Sequence, residues 1–219
     1  MKRLSAGLAA FALLSWSVGC ATMDNSEQGA IIGAAGGAVV GGLIGHDAGD
    51  TLLGAIIGAA IGGAAGAYIG RYMDQQAAEM RQDVEGASVD RIGEGIRIWF
   101  DVGLLFDVDG FELRVAGRQA LLQMAFILNR YPETYVIVEG NADDWGPREH
   151  AIGLSERRAR AVGEYLERHD VNPGRFTFRR YDPDRPSAPG DRYAAAGHGR
   201  RMDVAVVASD RLKRTARER

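Results

Sequence analysis

Glycine stands at every fourth position through two stretches of this chain. The first holds Gly29, Gly33, Gly37, Gly41 and Gly45, and the second Gly54, Gly58, Gly62, Gly66 and Gly70. Residues four apart share one face of an α-helix. Each stretch, folded as a helix, therefore carries a stripe without side chains, centred on Gly33, Gly37 and Gly41 in one and Gly58, Gly62 and Gly66 in the other. Such a stripe lets a second helix approach closely, as small-residue motifs do inside membranes. Glycine costs about 1 kcal/mol per helical position relative to alanine, so these segments need close packing or lipid to compensate. The residues between the glycines are mostly Ala, Ile, Val and Leu, and His46–Thr51 forms a polar break. The spacing predicts a helical hairpin over 29–72. At 1.5 Å per residue each arm runs about 26 Å, marginal but adequate for a bilayer core.

Charge divides the chain at the same place. No charged residue occurs between Gln28 and Gly45 or between Leu52 and Gly70, whereas charges are dense from Arg71 onward. The formal net charge of −3 gives no indication of nucleic-acid binding. Residues 73–87 read as a helical linker that carries the hairpin towards a soluble domain. Tyr72, Gln76, Ala77 and Met80 fall on one side of it.

The first residues have the three-part layout of a secretion signal. A basic head, Lys2-Arg3, precedes an apolar stretch, Leu8–Trp16, too short to span a bilayer. Ser17-Val18-Gly19 then leads to Cys20, the only cysteine. A small residue directly before cysteine resembles the lipidation site of bacterial lipoproteins. Residues 1–19 are expected to be removed and Cys20 to carry acyl chains, with 20–28 as the lipidated tether. A lone exported thiol cannot form an intramolecular disulfide, and acylation consumes it. Buried acyl carbons contribute about 0.8 kcal/mol each to such an anchor. Ala21 after the cysteine fits transfer to the outer membrane, by resemblance.

From Ser88 the periodicity changes. Short strands are predicted at 88–92, 95–100, 135–140, 175–181 and 202–207, and helices at 116–130 and 154–169, the second opened by Ser155. The first helix has an apolar face of Leu121, Leu122, Met124, Ala125 and Leu128. The second turns Ala159, Val162, Tyr165 and Leu166 inward. Strands alternating with helices predict an α+β fold, a small mixed sheet covered by two main helices, over 88–209. Residues 210–219 read as a charged tail.

Several motifs in this region resemble the OmpA C-terminal domain family. Leu105-Phe106-Asp107-Val108-Asp109 with Leu113 is similar to its opening "FDxD…L". Val138-Glu139-Gly140-Asn141-Ala142-Asp143 matches its "VxGHTD" strand end. Leu154-Ser155-Glu156-Arg157-Arg158-Ala159 with Val162 and Tyr165-Leu166 matches its "LSxxRAxxVxxYL" helix, and Arg200-Arg201-Met202-Asp203-Val204 its "NRRVEI". Signal, cysteine, glycine stripe and domain together resemble the YiaD-type outer-membrane lipoproteins. The resemblance implies a βαβαβ sandwich that binds peptidoglycan without cutting it. The ligand is the diaminopimelate of the stem peptide, with an ammonium and a carboxylate to be matched. By motif position, Asp143 takes the ammonium and Arg158 the carboxylate, since a planar guanidinium fork fits a carboxylate bidentately. Asp109 and Arg200 flank the pocket.

The chain departs from the family pattern around that pair. Asn141-Ala142 stand for His-Thr, Ala151 and Gly199 for asparagines, and Arg180-Tyr181-Asp182-Pro183 for "GYGE". Each lost hydrogen bond is worth about 0.5–1.5 kcal/mol, so weakened or altered binding is expected.

Two functions stay open. One is a tether, anchored in the outer membrane by lipid and apolar hairpin, with its domain in the periplasm on the wall. The other is an assembly module that forms a homo-oligomer through its glycines. A wall hydrolase built on Glu139, Asp143 and Asp144 is the least favoured, because the resemblance is to a non-catalytic family. No cofactor or metal is expected, and His150 and His198 read as surface residues.

Overall fold

The computed structural model describes residues 63–140, 147–179 and 201–219. Cys20, Asp143, Arg200, the expected hairpin up to residue 62 and every candidate packing glycine except Gly66 lie outside them. Among the described residues, no helix is long and apolar enough to cross a membrane.

The chain enters on a helix, α1 (Gly63–Asp83), then forms a hairpin of β1 (Ala87–Ile92) and β2 (Gly95–Asp101). The two-residue loop Gly93-Glu94 closes it, with Gly93 at a φ of 53° that favours glycine. A single turn, α2 (Val102–Leu105), leads to α3 (Val115–Arg130) and β3 (Thr134–Glu139). Next come α4 (Arg148–Glu167), a 3₁₀ turn (Pro173–Arg175), β4 (Phe176–Arg179), β5 (Arg201–Ala208) and α5 (Asp210–Arg217). The sheet has the order β1-β2-β5-β3-β4. Only the β3–β4 pair is parallel, joined through α4; the others are antiparallel. This is the expected mixed sheet layered with helices.

Period-two alternation sets the faces. Ile96, Ile98 and Phe100 of β2, Met202, Val204 and Val206 of β5, and Val136 and Val138 of β3 share one core with Leu121, Met124 and Leu128 of α3 and Ala159, Val162 and Leu166 of α4. Leu122 is only half-buried. On the opposite face Ile137, Ala205 and Val207 form a small second cluster. A buried ion pair accompanies it, Arg97 Nε to Asp203 Oδ1 at 2.9 Å.

Two segments differ from expectation. The boundary expected between residues 72 and 73 falls inside α1, which is continuous. Ile69, Met73, Ala77 and Met80 recur at helical spacing and are fully buried in the core. Gly66 is buried on the same helix. The ends of α1 and β1 are pinned by Arg81 Nε donating to the Val89 carbonyl at 3.0 Å and by Arg91 Nε to Asp74 Oδ1 at 2.7 Å. The last ten residues, expected as a tail, contain α5. Ser209 caps it by accepting from the Leu212 amide, and Leu212 and Ala216 dock into the same core.

Helix α4 also begins earlier than expected. Pro147 precedes its first turn, and Ser155 is an interior residue whose hydroxyl donates to the Ile152 carbonyl at 2.8 Å. A serine inside a helix often bonds back in this way, so here it is not a start signal.

Candidate functional site

The site is assembled where β3 ends, where α4 begins and where the chain turns between α2 and α3. Two glycines set how closely these parts approach. A Cβ on Gly140 would lie 1.9 Å from the Ser155 carbonyl oxygen, so the strand end abuts the helix backbone directly. A Cβ on Gly117 would lie 2.8 Å from Leu105 Cα, so α3 is drawn equally tightly under the start of the turn. Neither position accepts a side chain without displacing backbone.

The turn itself runs from Asp107 to Gly110, closed by the Gly110 amide donating to the Asp107 carbonyl at 3.0 Å. Asp109 sits at its tip with φ 58°, a left-handed conformation that aspartate tolerates better than most residues. Val108 is 93% exposed beside it, so the tip faces solvent. The base of the turn is fixed by the Phe106–Leu113 bridge and by the Arg114 amide donating to the Leu105 carbonyl at 2.8 Å.

Arg158 lies beneath this turn and is fully buried. Its Nε donates to the Gly110 carbonyl at 2.8 Å, Nη2 stands 3.5 Å from the Asp107 carbonyl, and the guanidinium lies 5.4 Å from the centre of the Phe106 ring. One arginine therefore holds both ends of the turn. Its charge is fixed in a low-dielectric setting, where it acts more strongly than a surface charge.

Asp109 has a partner that the sequence did not reveal. His150, in the first turn of α4, places Nε2 2.6 Å from Asp109 Oδ1. Both side chains are substantially exposed, in keeping with the reading of His150 as a surface residue. This hydrogen bond holds the Asp109 carboxyl below its ordinary pKa, and the charges of His150, Arg158 and Arg157 act in the same direction.

Thus the structure brings together Asp109 and Arg158 of the four residues assigned to the pocket. Asp143 and Arg200 lie outside the described residues. The sequence did carry a signal for the burial of Arg158. Leu154, Arg158 and Val162 recur every four residues, and the flanking members are core. His150 had no comparable signal, because its partner is 41 residues away. No group of three His, Cys, Asp or Glu side chains among the described residues could hold a metal ion.

The described residues thus form a two-layer domain with a buried helix arginine under an exposed acidic turn. The chain belongs to the OmpA family. The model of that family matches residues 105–194, and a YMGG-like Gly-zipper model matches residues 1–74. The peptidoglycan-associated lipoprotein of Pasteurella multocida is 36% identical over 100 residues, covering 46% of this chain and 67% of that protein. The probable lipoprotein YiaD of Escherichia coli is 32% identical over 136 residues, covering 61% of this chain and 62% of that one. The chain spans about half the length of other curated relatives it matches. Among solved structures, a putative MotB-like protein from Desulfovibrio vulgaris is similar with a TM-score of 0.50 and 21% identity, covering 63% of this chain and 95% of that one. The resemblance read from the motifs is thereby borne out. The family and these relatives place the chain among non-enzymatic lipoproteins of the cell envelope.

Proposed function

We propose that this protein is an outer-membrane lipoprotein, acylated at Cys20, that tethers the membrane to the cell wall. Its periplasmic domain holds the diaminopimelate of the peptidoglycan stem peptide without covalent chemistry. The observation that carries this reading is the burial of Arg158 beneath the 107–110 turn. A charged group hidden from water is costly unless well bonded. Here it holds the turn and gives the cleft a fixed positive charge. That charge attracts a ligand carboxylate, and Asp143, three residues beyond Gly140, supplies the carboxylate for the ligand's ammonium. Asp109 and Arg200 flank them.

Family members named peptidoglycan-associated lipoproteins support this reading. Because Ala142, Ala151 and Gly199 remove neutral hydrogen-bonding partners from the motif, binding is weaker than an intact pocket would give. The test is co-sedimentation of the detergent-solubilised chain with purified sacculi. Retention is expected for the wild type and lost in Asp143→Ala and Arg158→Ala; equal retention in all three sinks the assignment of these residues.

The Gly-zipper match supports a second activity, self-association through Gly33, Gly37, Gly41, Gly58, Gly62 and Gly66. Cross-linked oligomers without sacculus retention would favour an assembly module over the tether.

A further inference from the structure

A groove of about 680 Å³ runs along α4 beside the segment that follows the 107–110 turn. We propose that it is a second binding site, taking the carboxylates of a peptidoglycan stem peptide beyond the residue held near Arg158. This inference rests on the function proposed above and extends it to the rest of the ligand.

The groove is cationic and aromatic. Arg157, Arg160, Tyr165 and Arg168 of α4 form one wall, and Phe111 and Arg118 line the other. The α4 residues recur at helical spacing, so they share a face. Four guanidinium groups meet two carboxylates, Glu112 and Glu164, on a chain whose net charge is −3. The excess of positive charge is thus local to the groove.

Two of the arginines lie over rings. Arg157 lies 5.0 Å from the centre of the Phe111 ring, and Arg168 5.9 Å from that of Tyr165. Arg118 is braced by Nη1 donating to the Leu113 carbonyl at 2.5 Å. A guanidinium held against a ring loses less freedom on binding a carboxylate. Arg160 makes only a loose 3.7 Å pairing with Glu156 and is 61% exposed. It is available to exchange that partner for a ligand.

Position and length also fit. Arg157 adjoins Arg158, and Phe111 adjoins Gly110, whose carbonyl Arg158 holds. The lining of the groove thus begins one residue from the site on both elements. From Arg157 to Arg168 the helix rises about 16 Å, the span of about five extended residues. A stem peptide is a short chain with several carboxylates. Anchored at one residue, it has its remaining carboxylates within that reach.

The experiment uses the full chain in detergent and two probes, a soluble disaccharide tetrapeptide with free diaminopimelate, and diaminopimelate alone. The double substitution Arg157→Gln with Arg160→Gln is expected to weaken the tetrapeptide fragment about tenfold and to flatten its salt dependence, as lost ion pairing requires. Binding of diaminopimelate alone should change less than twofold, because the free amino acid does not reach the groove. Both arginines are exposed, so the unfolding midpoint should not move. If the wild type binds the fragment and the double variant binds it equally, the groove proposal falls and the tether stands. Equal losses for both probes would reduce the arginines to supports of the first site and also overturn it. A wild type that binds neither probe removes both readings.

Discussion

Two buried arginines stand at opposite ends of β3, and their surroundings differ. Arg175, at the start of the strand, donates to the carbonyls of Leu128, Tyr131 and Thr134 and to the Thr134 hydroxyl, at 2.7–3.1 Å. Those acceptors belong to the end of α3 and the entry to β3, so the guanidinium closes a helix end that would otherwise leave carbonyls unsatisfied. Burial pushes its pKa down, and no ligand is needed to explain its place. Arg158, near the strand's far end, instead holds a turn whose tip is in solvent. The same buried side chain thus serves as a clamp at one end and, in the function proposed above, as the floor of the ligand site at the other. What separates the two is whether the bonded backbone lies inside or at the surface.

The largest effect that would sharpen this contrast is expected from Arg175→Leu. It leaves three buried carbonyls without their donor and should cost about 3–5 kcal/mol, since each orphaned group costs about 1–3 kcal/mol. Urea unfolding measures it, and the folded fraction should still sediment with sacculi. A loss below about 1 kcal/mol would show that water replaces the clamp readily. Gly140→Ala comes next. Its new methyl meets the Ser155 carbonyl, for a cost of about 1–3 kcal/mol. Unlike Arg175→Leu, it should also abolish sacculus retention by shifting α4 against the strand end. Arg158→Lys keeps the charge but loses the planar fork, and about 1–2 kcal/mol of stability follows from the lost turn contacts. If Arg158→Lys and Arg175→Lys cost the same and neither affects retention, the contrast between clamp and cleft fails.

The smallest effect concerns Asp109. Its pKa is lower in the folded state than in the unfolded chain. The associated stabilisation is therefore present above the ordinary carboxylate pKa and is lost as pH falls through the folded value. His150→Ala should raise the Asp109 pKa, read by carbon-detected NMR titration, and should slightly lower the unfolding midpoint at neutral pH, where that stabilisation is present, but not at a pH below the folded value. An unchanged pKa would mean that the 2.6 Å contact is not maintained in solution.

Much of this architecture was legible in the sequence because it rests on local periodicity. Ile96, Ile98 and Phe100 alternate, and Leu121, Met124, Ala125 and Leu128 repeat at helical spacing, so β2 and α3 could be read directly. Helix α5 could not, because Leu212 and Ala216 are its only apolar residues, and two make too short a pattern. Arg175 reads only as the first residue of a strand, and its clamping role was not legible because its acceptors are backbone groups 41 to 47 residues away. At the site, Arg158 was found through the family motif. Its burial was obscured by the run Arg157-Arg158-Ala159-Arg160, which reads as a solvated basic face until the helical repeat through Leu154 and Val162 is laid over it. The Asp109–His150 contact depends on tertiary approach alone.

Helix α1 has a mechanical consequence. A pull applied at Gly63 meets no slack, because the helix is already seated by Ile69, Met73, Ala77 and Met80 and tied to β1 through Arg81 and Arg91. Force along its axis is delivered to the sheet in shear, spread over several buried contacts at once. Yielding then requires the helix to slide past its strand and expose those methionines, rather than a slack segment to straighten.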